Sequence, residues 1–235
     1  MSTLNHTLSL RFDVAWRKRV ARRFHDLLAR PDARVLDLCC GTGDLAFALA
    51  AECAKQLPSA KTNATSGEKT RQAARITGAD FAHPMLVRAC EKDQAPGGHA
   101  AVEFLEADAL NLPFADQSFD LVTTAFGFRN LANYAAGLAE VHRVLRPGGS
   151  IAILEFAEPE GPIFGRLYRF YFRHVLPRLG GIVSGNAQAY GYLPNSVARF
   201  PRPPELAKLM DQCNFTAARF ERWTGGIVAL HTAKR

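Results

Sequence analysis

The chain has 235 residues, 48% of them hydrophobic, which is enough apolar material for one large α/β domain and argues against intrinsic disorder. Its 29 Lys and Arg outnumber its 22 Asp and Glu, and the formal net charge of +7 favours contact with an anionic surface such as a membrane, nucleic acid or an acidic substrate. Five cysteines without a CxxC pair or histidines at ligand spacing predict a reducing compartment and no bound metal.

The first predicted element is a basic helix near the amino terminus. Eight basic and three acidic residues lie between Arg11 and Arg34, around apolar positions that include Trp16 and Val20. This distribution is typical of a lid or a membrane-surface helix, and equally of a helix whose charged face is solvated. We assign residues 1–30 to a lid.

Apolar runs bounded by turn residues follow, with helical patterns between them. The predicted strands are Arg34 to Leu38, Ile76 to Phe81, Val102 to Ala107, Phe119 to Ala125 and Ser150 to Phe156, and the predicted helices are Leu45 to Leu57, Pro84 to Lys92 and Tyr134 to Leu145. Strands that alternate with helices imply a mostly parallel sheet. Arg146 to Gly149 is predicted to end a helix and turn into the next strand.

Two later runs, Phe215 to Trp223 and Gly226 to Thr232, are separated by a Thr-Gly-Gly turn. They predict an antiparallel hairpin at the edge of the sheet. We therefore predict a single α/β domain over residues 1–235, with a substrate-side insertion at residues 157–200.

The segment from Val35 to Leu45 runs an apolar strand into a glycine turn. Gly41 and Gly43 would let a nucleotide approach the backbone at the amino end of a helix. Asp37 and Asp44 flank the turn, and two carboxylates repel a phosphate but attract the ammonium and sulfonium groups of S-adenosylmethionine. The spacing also matches the loose dinucleotide fingerprint, so NAD or FAD, and a purely structural turn, stay as alternatives to a methyl donor.

Acidic residues also follow the second and third strands, where ligands bind in open α/β sheets. Asp80 can accept both hydroxyls of a ribose, and a helix N-cap before Pro84 is the alternative. Asp108, followed by Ala109 and Leu110, can accept from an adenine amino group, and a turn-forming Asp is the alternative.

Several blocks of the chain resemble known methyltransferases. The glycine turn, Gly78 to Phe81 and Ala107 to Phe114 resemble class I S-adenosylmethionine methyltransferases in general, which implies their Rossmann-like fold. A narrower set of blocks resembles the ubiquinone/menaquinone biosynthesis C-methyltransferases: Phe126-Gly127-Phe128-Arg129-Asn130-Leu131, Glu140 to Gly149, Leu154-Glu155-Phe156, Tyr190 to Ser196 and Thr224 to His231.

The resemblance implies transfer of a methyl group from S-adenosylmethionine to a ring carbon of a reduced polyprenyl quinol, with demethylmenaquinol as the first candidate. The benzoquinol precursor of ubiquinone, or another small lipid or phenol, is the alternative acceptor. By position, the residues that bind the donor would be Gly41, Thr42, Gly43, Asp80, Asp108, Ala109 and Ala125, to which Asp37 of the glycine turn is added.

An aromatic carbon attacks a sulfonium methyl once electron density is pushed onto it by removal of a proton from the neighbouring hydroxyl. We expect Arg129 and Asn130 to contact the quinol oxygen, with Arg129 stabilising the phenolate and His231 or Glu155 accepting the proton. An ion pair that supports the loop is the alternative for Arg129. A hydrogen-bonded residue in an edge strand is the alternative for His231.

Residues 162–177 place apolar side chains on one helical stripe and three arginines on another, which is typical of a helix at a lipid headgroup boundary and also of a core helix. Tyr168, Tyr190 and Tyr192 are the predicted contacts with the substrate. No apolar run reaches about 18 residues, so we expect a cytoplasmic protein that is peripheral to the inner face of the membrane. A homodimer is also considered.

Two hypotheses from other functional classes compete with the enzyme. Net charge alone suggests a nucleic-acid-binding protein, but we find no base-flipping or stacking signature and predict no nucleic-acid partner. The second is a protein that binds the methyl donor without catalysing its transfer.

Overall fold

The structure, a computed structural model, describes residues 12–55, 74–94, 102–159 and 196–235. In these ranges the helices are α1 (Phe12–Arg23), α2 (His25–Leu28), α3 (Asp44–Ala54), α4 (His83–Gln94), α5 (Tyr134–Val144) and α6 (Pro203–Gln212). The strands are β1 (Arg34–Leu38), β2 (Arg75–Asp80), β3 (Val102–Glu106), β4 (Phe119–Ala125), β5 (Leu145–Phe156), β6 (Thr216–Trp223) and β7 (Val228–Lys234).

All seven strands join one sheet in the order β3-β2-β1-β4-β5-β7-β6. Strands β1 to β5 pair in parallel, and β7 pairs antiparallel with both β5 and β6. The predicted α/β sheet with an antiparallel carboxyl-terminal hairpin is therefore confirmed. The strand order reverses between β1 and β4, and the crevice at such a reversal is where open α/β sheets bind ligands.

The central strands are buried on both faces because helices cover each side of the sheet. On one face, Val35 of β1 and Leu121 of β4 belong to a core that includes residues of α1 and α3. On the other, Leu36 and Val122 belong to a core that includes residues of α5 and α6. Two-sided burial explains why apolar residues on both faces dominate these strands, which could therefore be located from the sequence.

The basic amino-terminal segment folds as two helices separated at Phe24, whose φ of −107° departs from helical geometry. Trp16 and Val20 of α1 are 6% and 1% exposed and belong to the core shared with α3. The part of α1 that carries Trp16 and Val20 is thus buried against the protein, and contact of this helix with a membrane stays a prediction.

Strand β5 begins at Leu145, five residues before the predicted Ser150. The segment Arg146 to Gly149, predicted as a turn, lies inside this strand as an irregular stretch, and the pairing with β4 shifts register between Phe119 and Leu121. The backbone N–H of Gly148 donates to the carbonyl of Arg235, and the backbone N–H of Arg235 donates to the carbonyl of Gly149. Contacts with the end of the chain therefore extend the strand through a sequence that reads locally as a turn.

The stripe at residues 162–177 and the predicted substrate contacts Tyr168, Tyr190 and Tyr192 lie outside the described residues. The lid at residues 1–30 and the insertion at 157–200 are described only in part and stay predictions. Within the described ranges, no helix combines the length and the apolar character needed to cross a membrane.

Candidate active site

A cavity of about 620 Å³ opens at the carboxyl ends of β1, β2 and β4. This volume lies in the range of small-molecule sites, about 300–1,000 Å³. Seven of the eight predicted donor-binding residues line it: Asp37, Gly41, Thr42, Asp80, Asp108, Ala109 and Ala125.

Gly43, the eighth, is not among the described lining residues and shapes the turn from behind. Its φ is +80°, and a Cβ built on it would stand 2.8 Å from the ring of Phe47 and 3.0 Å from that of Phe104. Any side chain would strain the backbone and collide with two aromatic rings. The second glycine is thus required by packing between α3 and β3.

Asp37 is a buried carboxyl group in the wall of the cavity, 1% exposed. The hydroxyl of Thr123 donates to its Oδ1 at 3.0 Å, whereas Oδ2 has no hydrogen-bond partner among the described residues. Burial raises the pKa of Asp37 to about 7, although the Thr123 hydroxyl, the backbone N–H of Ala46 and the positive charge of Arg17 oppose the rise. Oδ2 thus remains an acceptor that no described hydrogen bond fills.

Asp80 connects the glycine turn to the end of β2. Its Oδ2 accepts the backbone N–H of Gly41 at 2.8 Å, and its Oδ1 accepts that of Ala82 at 2.8 Å. The bond to Ala82 forms a local turn before α4. A carboxylate offers about four acceptor positions, so capacity is left for two ribose hydroxyls.

The negative charge of Asp44, which with Asp37 flanks the glycine turn, is offset by a lysine. The ammonium group of Lys92 lies 2.9 Å from its Oδ1 and also donates to the hydroxyl of Thr42 at 2.7 Å. The expectation that Asp37 and Asp44 together attract a cation is wrong in this respect, because Lys92 neutralises one of them from 48 positions away along the chain. Of the two carboxyl groups, Asp44 is therefore the one in a described ion pair.

Asp108 sits in a loop that is held from α5. Its Oδ1 accepts the backbone N–H of Leu110 at 2.9 Å, the turn-forming alternative, while the residue also lines the cavity. Glu140 accepts the backbone N–H of Leu112 at 2.7 Å, and Arg143 donates to the carbonyls of Leu112 and Phe114. The Glu140 to Arg143 block therefore fixes the loop that carries Asp108.

Arg129 is buried in an ion pair with Glu155 of β5. Its Nη1 lies 3.1 Å from Oε2 of Glu155, and the two side chains are 10% and 1% exposed. The same guanidinium donates to the carbonyl of Phe126, a residue held at a left-handed φ of 62°. This arrangement matches the loop-supporting alternative, and a direct contact of Arg129 with the quinol oxygen stays a prediction.

In the segment Phe126 to Leu131, close packing leaves no room for a side chain at Gly127. A Cβ on Gly127 would stand 2.4 Å from the Cβ of Cys39, because the loop after β4 passes directly against the loop after β1. Asn130, three residues on, lines the cavity as the sequence suggested, whereas Arg129 is not among the described lining residues.

His231 lies in the interior strand β7 and not at an edge, since β6 covers it. Its Nε2 contacts the carbonyl of Pro203 at 3.2 Å, and burial lowers its pKa to about 4. A carbonyl only accepts, so Nε2 carries the proton in this pair. His231 is absent from the described lining of the cavity, and the hydrogen-bonded alternative accounts for it.

Phe81, Asp13 and Arg17 are among the lining residues that were not anticipated. Phe81 follows Asp80 and is 76% exposed, and Asp13 and Arg17 reach the cavity from α1. An aromatic residue directly after the acidic end of a strand was the signal available in the sequence for Phe81. Nothing local distinguishes Arg17 from the other basic residues of its helix.

Comparison with known proteins gives consistent results. Residues 1–235 match the ubiE/COQ5 methyltransferase family. A demethylmenaquinone methyltransferase of Thermus thermophilus is 46% identical over 233 residues, which cover 99% of this chain and 94% of the relative. One from Deinococcus radiodurans is 45% identical over 97% of this chain and 84% of its own length.

A solved structure of a SAM-dependent methyltransferase from Aquifex aeolicus has a similar fold. It superposes with a TM-score of 0.57 at 16% sequence identity, covering 94% of this chain and 97% of that one. At this identity the likeness concerns the fold alone, and it confirms the Rossmann-like methyltransferase fold.

Proposed function

This chain belongs to the ubiE/COQ5 methyltransferase family, and from that premise we propose that it methylates a ring carbon of demethylmenaquinol with S-adenosylmethionine as the donor. The family is one of methyltransferases, and the chain is accordingly an enzyme that depends on S-adenosylmethionine. The acceptor is the finer part of the proposal. It is supported by relatives whose names specify demethylmenaquinone and which match nearly the full chain.

The single observation that carries the donor is the unpartnered Oδ2 of Asp37. A buried carboxylate oxygen without a partner is costly, and the residue that carries it lines a cavity of suitable volume. When bound, S-adenosylmethionine supplies a methyl group activated by a sulfonium. The residues present fit it, because Asp37 offers an acceptor for its ammonium and the described lining residues include five aspartates and one arginine, a set that disfavours a pyrophosphate.

Asp80 and Phe81 fit the nucleoside part of the donor. Asp80 is oriented by two backbone N–H groups and keeps lone pairs for ribose hydroxyls. Phe81 presents its exposed ring next to Asp80, where it would cover a purine, and Asp108 would accept from the amino group.

Asn130 and the ring of Phe126 form the side of the cavity that we assign to the acceptor. Asn130 would hold the ring oxygen through its amide, and Arg129 would set the loop through Glu155. A proton must leave the ring hydroxyl before or during transfer, and alignment of donor and acceptor supplies much of the remaining rate. A polyprenyl tail partitions into lipid, so we further propose that the protein works in the cytoplasm at the inner face of the membrane.

The test incubates the purified protein with S-adenosylmethionine labelled on its methyl group and with chemically reduced demethylmenaquinone. The expected product is menaquinone carrying the label, identified by mass spectrometry after oxidation. A demethylated benzoquinol serves as the competing acceptor. Label in the benzoquinol and none in the naphthoquinol would replace the proposed acceptor, and label in neither would reject quinol methylation.

A further inference from the structure

We propose that Arg17, on α1, binds the carboxylate of the donor's methionine moiety and so makes α1 part of the donor site. This inference rests on the proposed function, since it concerns the same cavity. S-adenosylmethionine carries one anionic group besides its ammonium and its sulfonium, and nothing described so far receives that anion. A site built from acidic residues alone would repel it.

The charges around the cavity single out Arg17. Five aspartates line it, namely Asp13, Asp37, Asp44, Asp80 and Asp108. Arg17 is the only Lys, Arg or His among the described lining residues. Any carboxylate that enters has one cationic partner within this lining.

The guanidinium of Arg17 is held in place for such a contact. Its Nη1 lies 2.6 Å from Oδ2 of Asp13 one helical turn earlier, and its side chain is 12% exposed. Its Cζ stands 5.3 Å from the centre of the Phe126 ring. A guanidinium has five N–H donors, and the bond to Asp13 leaves others for a carboxylate.

The helix itself is fixed against the sheet. The indole N–H of Trp16 donates to the hydroxyl of Thr224 at 2.9 Å, and this bond links α1 to the turn before β7. Because Trp16 and Arg17 are neighbours, this bond limits the positions that the guanidinium can reach. Ordering before binding reduces the entropy that a ligand contact must overcome.

Arg17 and Asp37 together match an α-amino acid. The charge of Arg17 lowers the pKa of Asp37 against the effect of burial, so the two groups act on each other across the cavity. An α-amino acid presents an ammonium and a carboxylate on one carbon. A carboxylate and a guanidinium that line one cavity and lie close enough to interact can bind both at once.

The test compares two ligands that differ only in the carboxylate: S-adenosylhomocysteine and its decarboxylated amine analogue. Binding of each to the wild-type protein and to Arg17→Gln is measured by calorimetry. We expect Arg17→Gln to weaken S-adenosylhomocysteine by about 10- to 100-fold, the usual range for loss of a charged hydrogen bond. Affinity for the decarboxylated analogue should change little, so the preference for the carboxylate disappears.

Lys18→Gln is the matched control, because it removes one positive charge from the next, exposed position of α1. It should leave both affinities unchanged. Since Arg17→Gln leaves Asp13 without its guanidinium, the double variant Asp13→Asn/Arg17→Gln is measured as well and should show the same loss of preference. The ratio of the two affinities does not depend on the fraction of folded protein.

Equal weakening of both ligands in Arg17→Gln would mean that Arg17 only supports the fold, and would overturn the inference. If Arg17→Gln bound both ligands as tightly as the wild-type protein does, the inference would be overturned too. If the wild-type protein bound neither ligand, the proposed function would fail, and the inference with it. The outcomes thus separate the two failures.

Discussion

Two buried carboxyl groups, Asp37 in β1 and Glu155 in β5, lie in strands separated only by β4, and each is 1% exposed. Burial raises the pKa of both groups. Glu155 accepts from the guanidinium and from the backbone N–H of Arg129, whereas one oxygen of Asp37 has no partner among the described residues. The same type of side chain is thus satisfied within the protein at one position and left incomplete at the other.

The difference teaches how to tell a structural charge from a functional one. Burying a carboxylate is costly unless a partner compensates it, and the Arg129 pair provides that compensation inside the fold. At Asp37 no described cation pairs with the carboxyl, its raised pKa favours the neutral form, and it lines the cavity that we assign to the donor. Perturbed acids with an open neighbour are common at functional sites, while fully paired ones stabilise loops.

The largest effect is expected from Glu155→Ala, which should lower the free energy of unfolding by about 3–5 kcal/mol because it leaves Arg129 buried without its partner. Urea unfolding followed by circular dichroism measures this. Glu155→Gln, which keeps the shape and one acceptor, should lose less. A loss below about 1 kcal/mol for Glu155→Ala would mean that Arg129 is not compensated by this pair.

Next in size is Asp37→Asn, which should weaken S-adenosylhomocysteine binding by about 10- to 100-fold through loss of a charged acceptor. It should not reduce the stability of the free protein, because a neutral amide replaces a carboxyl that is costly to ionise in place. Calorimetry and thermal unfolding report the two effects separately. Equal affinity in the variant would show that the open oxygen of Asp37 does not receive the ligand.

The pH dependence of binding should follow from the raised pKa of Asp37, about 7. Below that value the carboxyl is protonated, and affinity for S-adenosylhomocysteine should fall by up to tenfold for each pH unit. Above it the affinity should level off. Asp37→Asn should show no such fall in affinity near pH 7. A fall of the same size in the variant would assign the titration to another group, and Asp80 is the acid that acts on Asp37.

Stability of the free protein should move in the opposite direction. The folded-state pKa of Asp37 lies above the ordinary value of 3.8, so the native state holds the extra proton between pH 3.8 and about 7. The contribution of this group to stability therefore falls as pH rises through that window. Glu52, Asp120 and Glu140 have lowered pKa values and act in the other sense, so the difference between wild type and Asp37→Asn is the quantity to measure.

The smallest effect is expected from Lys92→Met. The pair with Asp44 is partly exposed, at 36% and 27%, so its loss should change the unfolding free energy by no more than about 1 kcal/mol. Releasing Asp44 should add a negative charge at the glycine turn and strengthen S-adenosylhomocysteine binding slightly. Weaker binding would instead show that the contact of Lys92 with Thr42 is needed to shape the turn.

Much of the fold could be predicted because its strongest patterns are local. The strands Arg34–Leu38 and Phe119–Ala125 were located to the residue, since strands buried on two faces are rich in apolar residues. The start of β5 could not be predicted. It depends on hydrogen bonds between Gly148, Gly149 and Arg235, which are distant along the chain.

That Asp37, Asp80 and Asp108 line one cavity was predictable for the same reason, because each lies at or just after the carboxyl end of a strand, and their contact with the donor stays a prediction. What the sequence could not reveal is pairing. Lys92 neutralises Asp44 and Glu155 holds Arg129, and each pair joins residues at least 26 positions apart. Pairing decides which charges a ligand meets, so the electrostatic character of the site depends on tertiary structure.

The indole of Trp16 also gives the molecule an optical probe of its own. Its ring centre lies 6.0 Å from that of Phe126 in the cavity wall, and its N–H is fixed to Thr224. The chain has two tryptophans. The second, Trp223, ends β6, and the guanidinium of Arg19 from α1 lies over its ring. Changes in intrinsic emission during a titration would therefore follow occupancy without an added dye, and Trp223→Phe would isolate the signal from Trp16.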